Sequence, residues 1–191
     1  MKIASIVEGD GEVEALPVLL RKLPLTTRNP YIDILKPLRV KRDRFLNNMT
    51  EFNRFIEMAI GKASGGWVLI LLDADDDCPA QKGNETRQKI NAQWPHARIS
   101  LVFAKSEYEA WFICCADTLN GKHGFTYTDP VPENPENIRN AKGWVKQRMI
   151  GETYGEIRHL PKFTAHLDIE TVRKRSRSFQ KLYKEWETHV G

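Results

Sequence analysis

Trp67-Val68-Leu69-Ile70-Leu71-Leu72 follows Gly65-Gly66 and runs directly into Asp73-Ala74-Asp75. A continuous apolar run of strand length, with no polar alternation, is what a parallel strand covered on both faces requires. We read it as the central strand of a sheet whose carboxyl end carries the two aspartates. Upstream, Lys2–Val7 is a second short apolar run rich in β-branched residues, stopped by Gly9-Asp10-Gly11 and followed by helically spaced apolar residues over 13–23. Pro17 falls inside that stretch, so either the helix starts near Leu16 with Pro17 in its first turn, or it kinks there. Residues 31–35, after Asn29-Pro30, read as another strand.

From Asp43, the spacing of Phe45, Met49, Phe52, Ile56 and Ala59 predicts one helix with a buried face. Residues 85–94 read as helix and Ile99–Ala104 as a buried strand. Residues 106–116 read as a helix capped by Ser106 with Glu109 at its third position. This βα alternation implies a mainly parallel sheet flanked by helices, with the usual site at the carboxyl ends of the strands. Residues 121–135, with their prolines and glycines, read as irregular; residues 136–149 and two segments within 168–189 read as helical. The organisation is an α/β core over 1–120 and a loop and helical extension over 121–191 packed on it, a single domain overall.

The chain has 191 residues, 41% hydrophobic and 28% charged, the composition of a globular domain with a sizeable core. It contains no apolar run of membrane-spanning length and no secretory leader, which points to the cytoplasm. Cys78, Cys114 and Cys115 suggest reduced thiols rather than a disulfide framework, with Cys114 and Cys115 as core residues. The histidines form no zinc pattern. The net charge of +4 permits contact with nucleic acid without demanding it.

Charge distribution is more informative than the sum. Glu8 follows the first strand and Asp73 and Asp75 end the central one, so in a parallel sheet these carboxylates converge if the two strands are neighbours. Converging carboxylates repel one another, and hard oxygen ligands of this kind suit Mg2+ or Mn2+. An extended Asp73-Ala74-Asp75 segment would direct both aspartates to one side, whereas Asp76 and Asp77 read as solvent-facing or helix-capping. Arg39, Lys41 and Arg42 would border this acidic centre where phosphates enter. Lys105, after the last strand, could meet a phosphate or stand in solvent, and the stripe of Arg173 and Arg175 could be helical surface or serve the same strand-binding role. No base-reading motif is present.

Glu8-Gly9-Asp10-Gly11-Glu12 resembles the Glu-Gly-x-x-Glu opening of Toprim domains of OLD-type nucleases, and Leu72-Asp73-Ala74-Asp75 resembles their Asp-x-Asp strand. The chain is still more similar to a family of small bacterial Toprim-like proteins, through Glu14-Ala15-Leu16-Pro17, Glu107-Tyr108-Glu109-Ala110-Trp111, Leu167-Asp168 and Arg175-Ser176-Arg177-Ser178-Phe179. The resemblance spans about residues 3–183 and implies a Rossmann-like Toprim fold. It also implies a Mg2+- or Mn2+-dependent nuclease or related phosphoryl-transfer enzyme, in which Glu8, Asp73 and Asp75 are catalytic and Glu8 is the general acid/base. Glu12 would be a supporting metal ligand. Of Glu107 and Glu109, two apart on an expected helix and so unable to share a face, Glu107 is the expected ligand. The resemblance further suggests defence against foreign DNA beside an ATPase partner, although no Walker loop is present here. The alternative is a non-catalytic Toprim-like binding subunit of such a complex. A phosphate-accepting receiver-like domain fits the Glu-Gly-x-x-Glu opening poorly.

Overall fold

The computed structural model describes residues 1–24 and 31–190. Its core is a five-stranded, wholly parallel sheet. β1 (Lys2–Val7) leads into α1 (Asp10–Lys22), then the short strands β2 (Asp33–Ile34) and β3 (Leu38–Arg39), which pair in succession with the same edge of β1. α2 (Arg42–Asn47) and α3 (Met49–Ala63) return the chain to β4 (Trp67–Asp73), and α4 (Pro79–Gln93) crosses to β5 (Ile99–Ala104). The order is β2-β1-β4-β5, with Ile6 opposite Ile70 and Asp73 opposite Ala104. The expected α/β class, a parallel sheet between helices, is the observed one.

Successive side chains of a strand point to opposite faces, and the sheet divides its apolar residues accordingly. Ile3, Val7, Trp67, Leu69, Leu71 and Val102 pack with α1 and the C-terminal helices. Ala4, Ile6, Val68, Ile70, Leu72 and Phe103 pack with α3 and α4 on the other face. Both faces of β4 are therefore covered, which is why its sequence shows no alternation. Each fully covered Leu, Ile or Val contributes about 1.5–3 kcal/mol of transfer free energy.

Beyond β5 come α5 (Ala110–Cys114), α6 (Ala116–Leu119), a 3-10 turn (Pro135–Asn137), α7 (Ala141–Lys146), α8 (Glu156–His166), α9 (Ile169–Arg175) and α10 (Arg177–Val190). α8 lies along α1 so closely that a Cβ on Gly11 would meet Glu156 and Leu160. Trp186 of α10 donates its indole N–H to the Pro24 carbonyl at 2.8 Å. No helix among the described residues is long and apolar enough to cross a membrane.

Several local expectations are corrected. α1 begins at Asp10, so Pro17 lies inside the helix and a start near Leu16 is excluded. The strand expected over 31–35 shrinks to β2, and the Asn29-Pro30 pair before it lies outside the described residues. The helix expected from Asp43 breaks at Asn48, whose side chain accepts from the Glu51 amide at 3.1 Å and caps α3. α4 starts at Pro79, in the first-turn position that tolerates a missing N–H. Ser106 has φ of 62° and caps nothing; helix begins only at Ala110. The helix expected over 136–149 reduces to α7, because Asn140 adopts φ of 54° and caps a new helix there.

Candidate functional site: carboxylates at the strand ends

β1 and β4 are adjacent and parallel, so Glu8 and Asp73 emerge at the same edge, as their positions after two apolar runs implied. The Asp73 carboxylate accepts the Tyr108 amide at 2.9 Å, which ties the end of β4 to the loop after β5. Glu12, on the first turn of α1, folds its carboxylate back over Gly9, where a Cβ would collide with it. One carboxylate oxygen of Glu8 and one of Glu12, both Oε2, are buried without a hydrogen-bond partner.

Asp75 is placed differently from expectation. β4 ends at Asp73, and Asp75 takes a left-handed conformation with φ of 49°, so the Asp-x-Asp segment is not extended. Its amide donates to the Ser106 carbonyl and its carboxylate faces Arg42 at 3.5 Å. Asp76 pairs with Arg139 at the surface, and Asp77 pairs with Arg42 rather than standing free in solvent.

Two acidic residues of the 106–109 turn also reach the cluster. On a helix they would have diverged, but a turn lets both face inward. Glu107 accepts the Lys142 amide at 2.8 Å and so caps the start of α7 rather than standing open for a ligand. Glu109, which the sequence reading set aside, is 2% exposed and accepts the Tyr154 hydroxyl at 3.0 Å. Lys142, also missed, lies 3.0 Å from Glu156. It belongs to a stretch whose only signal was a short helical pattern far from either strand end.

This crowding governs protonation. Burial first, then the Asp75 charge, push the Glu8 carboxyl up to about 7. Burial together with Glu12, Glu109 and Glu8 holds Asp73 well above the usual carboxylate range. Burial, against the relief offered by Lys142, leaves Glu109 at about 7, and burial likewise raises Glu12. For Lys142, burial alone would lower the value, but Glu109 and Glu156 raise it. Every buried carboxylate here is destabilised as an anion, and nearby cations only partly offset that.

The cationic residues separate into those that face solvent and those already engaged. Arg39 is exposed, donates to the Glu8 carbonyl at 3.3 Å and lies 3.3 Å from Asp10; Lys41 is exposed beside it. Arg42 is buried, its guanidinium held by Asp43, Asp75, Asp77 and the Ala74 carbonyl, so it is a strut of the site and not a rim residue. Lys105 points to Asn137. Arg173 lies over the Tyr183 ring and near Glu170, and Arg175 donates to the Cys114 carbonyl at 2.8 Å. A cavity of about 490 Å3 lined by Gly9, Gly11, Arg39, Gly155 and Arg158 opens beside the Glu8 turn.

Among the described residues, no group of three or more His, Cys, Asp or Glu side chains is placed to hold a metal ion. The donor set nevertheless suits a hard divalent cation. It is all carboxylate, its members resist ionisation, and the Oε2 atoms of Glu8 and Glu12 are buried and unpartnered. To hold an ion these side chains would have to move from the positions described.

No curated protein and no solved structure matches the chain. One family profile does, over residues 7–187, covering both strand-end carboxylates and the helical extension. By that match the chain belongs to the family described as a domain of unknown function, DUF4276.

Proposed function

We propose that this protein is a Mg2+- or Mn2+-dependent, Toprim-like nuclease or related phosphoryl-transfer enzyme acting on nucleic acid. One observation carries the reading. Glu8 and Asp73 stand at neighbouring parallel strand ends with Glu12 of α1 close enough to raise the Asp73 carboxyl, and one buried carboxylate oxygen on each of Glu8 and Glu12 has no protein partner. Glu8, Glu12 and Asp73 would hold the cation, with Asp75 beside them, and the bound cation would stabilise charge on a scissile phosphate.

The chain's own residues supply the rest. Glu8, raised to about 7 in the cation-free protein by burial and by Asp75, would serve as the general acid/base. Arg42 fixes Asp75 and Asp77 at the rim. Arg39 and Lys41, exposed beside the Glu8 turn, meet phosphates without reading bases. Defence against foreign DNA beside an ATPase, in the cytoplasm, is the setting that the Toprim-like motifs support. The test is to incubate the purified protein with mixed DNA and RNA in Mg2+ or Mn2+, with and without chelator, alongside Asp73→Asn. Metal-dependent cleavage by the wild type alone supports the reading; equal cleavage by the variant refutes it.

A second reading, a cation-stabilised binding subunit, draws on the way Arg42 and Lys142 already neutralise part of the cluster. It predicts stabilisation by metal with no cleavage of any nucleic acid.

A further inference from the structure

β5 is the last strand of the sheet, so one of its edges has no strand partner among the described residues. Along that side runs a cleft of about 740 Å3, walled by α4 on one side and by residues 133–137 with the start of α10 on the other. Five cationic side chains line it: Arg87 from α4, Lys105 after β5, Arg175 from the last turn of α9, and Arg177 and Lys181 from α10. Glu133 and Glu136 are the acidic residues of its described lining, and from outside the lining Glu185 pairs with Lys181 and Asp117 with Arg175. Glu136 is buried and already satisfied by the Ser176 and Ser178 hydroxyls and the Arg177 amide. Arg87 and Arg177 are exposed and make no ion pair among the described residues.

The cleft approaches the carboxylate edge at Lys105, although none of Glu8, Glu12 or Asp73 lines it. Ala104 is the register partner of Asp73, and the next residue, Lys105, lines the cleft. We infer that the cleft is the track for a single strand of nucleic acid, its phosphates on Arg87, Arg177 and Lys181 and its leading end at the carboxylates. This rests on the nuclease reading for the direction of the strand, and it narrows the substrate class. A cleft of this volume is of the size that holds a small ligand, so it admits a nucleotide or two of one strand between its walls and excludes the body of a duplex. Dense cationic lining of a groove is how proteins follow a single strand without choosing its sequence.

The test separates strand binding from chemistry by using chelator throughout. A short fluorescein-labelled single-stranded oligonucleotide, its duplex and a free mononucleotide are titrated against the wild type and the Arg87→Ala/Arg177→Ala double variant. Thermal melting serves as the folding control. The strand should bind more tightly than the duplex. With a slope of about −0.7 per phosphate contact, losing two contacts should flatten the salt dependence by about 1.4 and weaken binding on the order of tenfold near 200 mM salt and more at lower salt. Cys78 lines the cleft and is exposed while Cys114 and Cys115 are buried, so its alkylation reports occupancy, and the oligonucleotide should slow it. Unchanged affinity in the variant, preference for duplex, an unprotected Cys78, or equal protection by the mononucleotide would each overturn the strand track. Asp73→Asn should bind the strand as the wild type does, so loss of cleavage there leaves this inference standing.

Discussion

Replacing Glu109 by Gln isolates the electrostatic cost of the cluster. Glu109 is 2% exposed, and its carboxyl lies at about 7 instead of the ordinary 4.5, because burial penalises the anion more than Lys142 relieves it. As pH rises past about 4.5 the unfolded chain gives up this proton, while the folded chain keeps it until about 7. Over that window the native state binds more protons, so stability falls with rising pH, and the whole loss is present above the folded value. At about 1.4 kcal/mol per unit between 4.5 and about 7, the loss is at most about 3.5 kcal/mol. Gln carries no charge, and its amide oxygen can still accept the Tyr154 hydroxyl. Lys142 keeps Glu156 as a partner. The variant should therefore match the wild type at about pH 4 and exceed it at about pH 8. For a chain of this length, that is roughly 7–14 °C in Tm at the upper limit. Scanning calorimetry in chelator at both pH values reads this directly. A variant equal to or less stable than the wild type at the higher pH would refute the picture of a frustrated carboxylate cluster.

Three further outcomes follow from named contacts. Gly9→Ala forces the Glu12 carboxylate out of its folded-back position, a flexible group that can move, so Tm in chelator should change little while stabilisation by Mn2+ is reduced; melting with and without Mn2+ checks this. Arg42→Ala leaves Asp75 and Asp77 without their cation and should cost about 1–3 kcal/mol in urea unfolding, the low end for a buried arginine because both aspartates are partly exposed. Asp73→Asn keeps the acceptor for the Tyr108 amide, so the fold should survive by circular dichroism while metal-dependent cleavage falls by about two to four orders of magnitude.

The parts of this molecule that were legible in its sequence are those where burial leaves a continuous trace. β1, β4 and β5 are apolar on both faces, so Glu8 and Asp73 could be read as strand ends that share an edge if β1 and β4 are neighbours, which they are. What escaped depends on single-residue backbone states. The left-handed Ser106 and Asp75 convert an expected helix start and an expected extended strand end into turns, and this brings Glu109 inward and Asp75 toward Arg42. Serine does not announce a positive φ, and aspartate, though it adopts one more often than most residues, does so in too few cases to predict it at Asp75. α8 was also overlooked, although Leu160, Phe163, Thr164 and Leu167 carry a helical spacing; Pro161 and the exposed Ile157 obscure it. With α8 missing, Tyr154, Glu156 and Lys142 could not be set beside the strand ends. Arg42 shows the limit of charge runs: in sequence it stands with Arg39 and Lys41, yet its side chain is buried among three aspartates.

The central claim is that Glu8, Glu12 and Asp73 together hold a divalent cation, and calorimetric titration of Mn2+ into the chelator-stripped protein tests it most directly. Saturable binding of one or two ions near neutral pH by the wild type is predicted, weakened as pH falls below about 7, where Glu8 takes up its proton. Asp73→Asn should bind more weakly still. Absence of saturable binding, or binding untouched by that substitution, would contradict it.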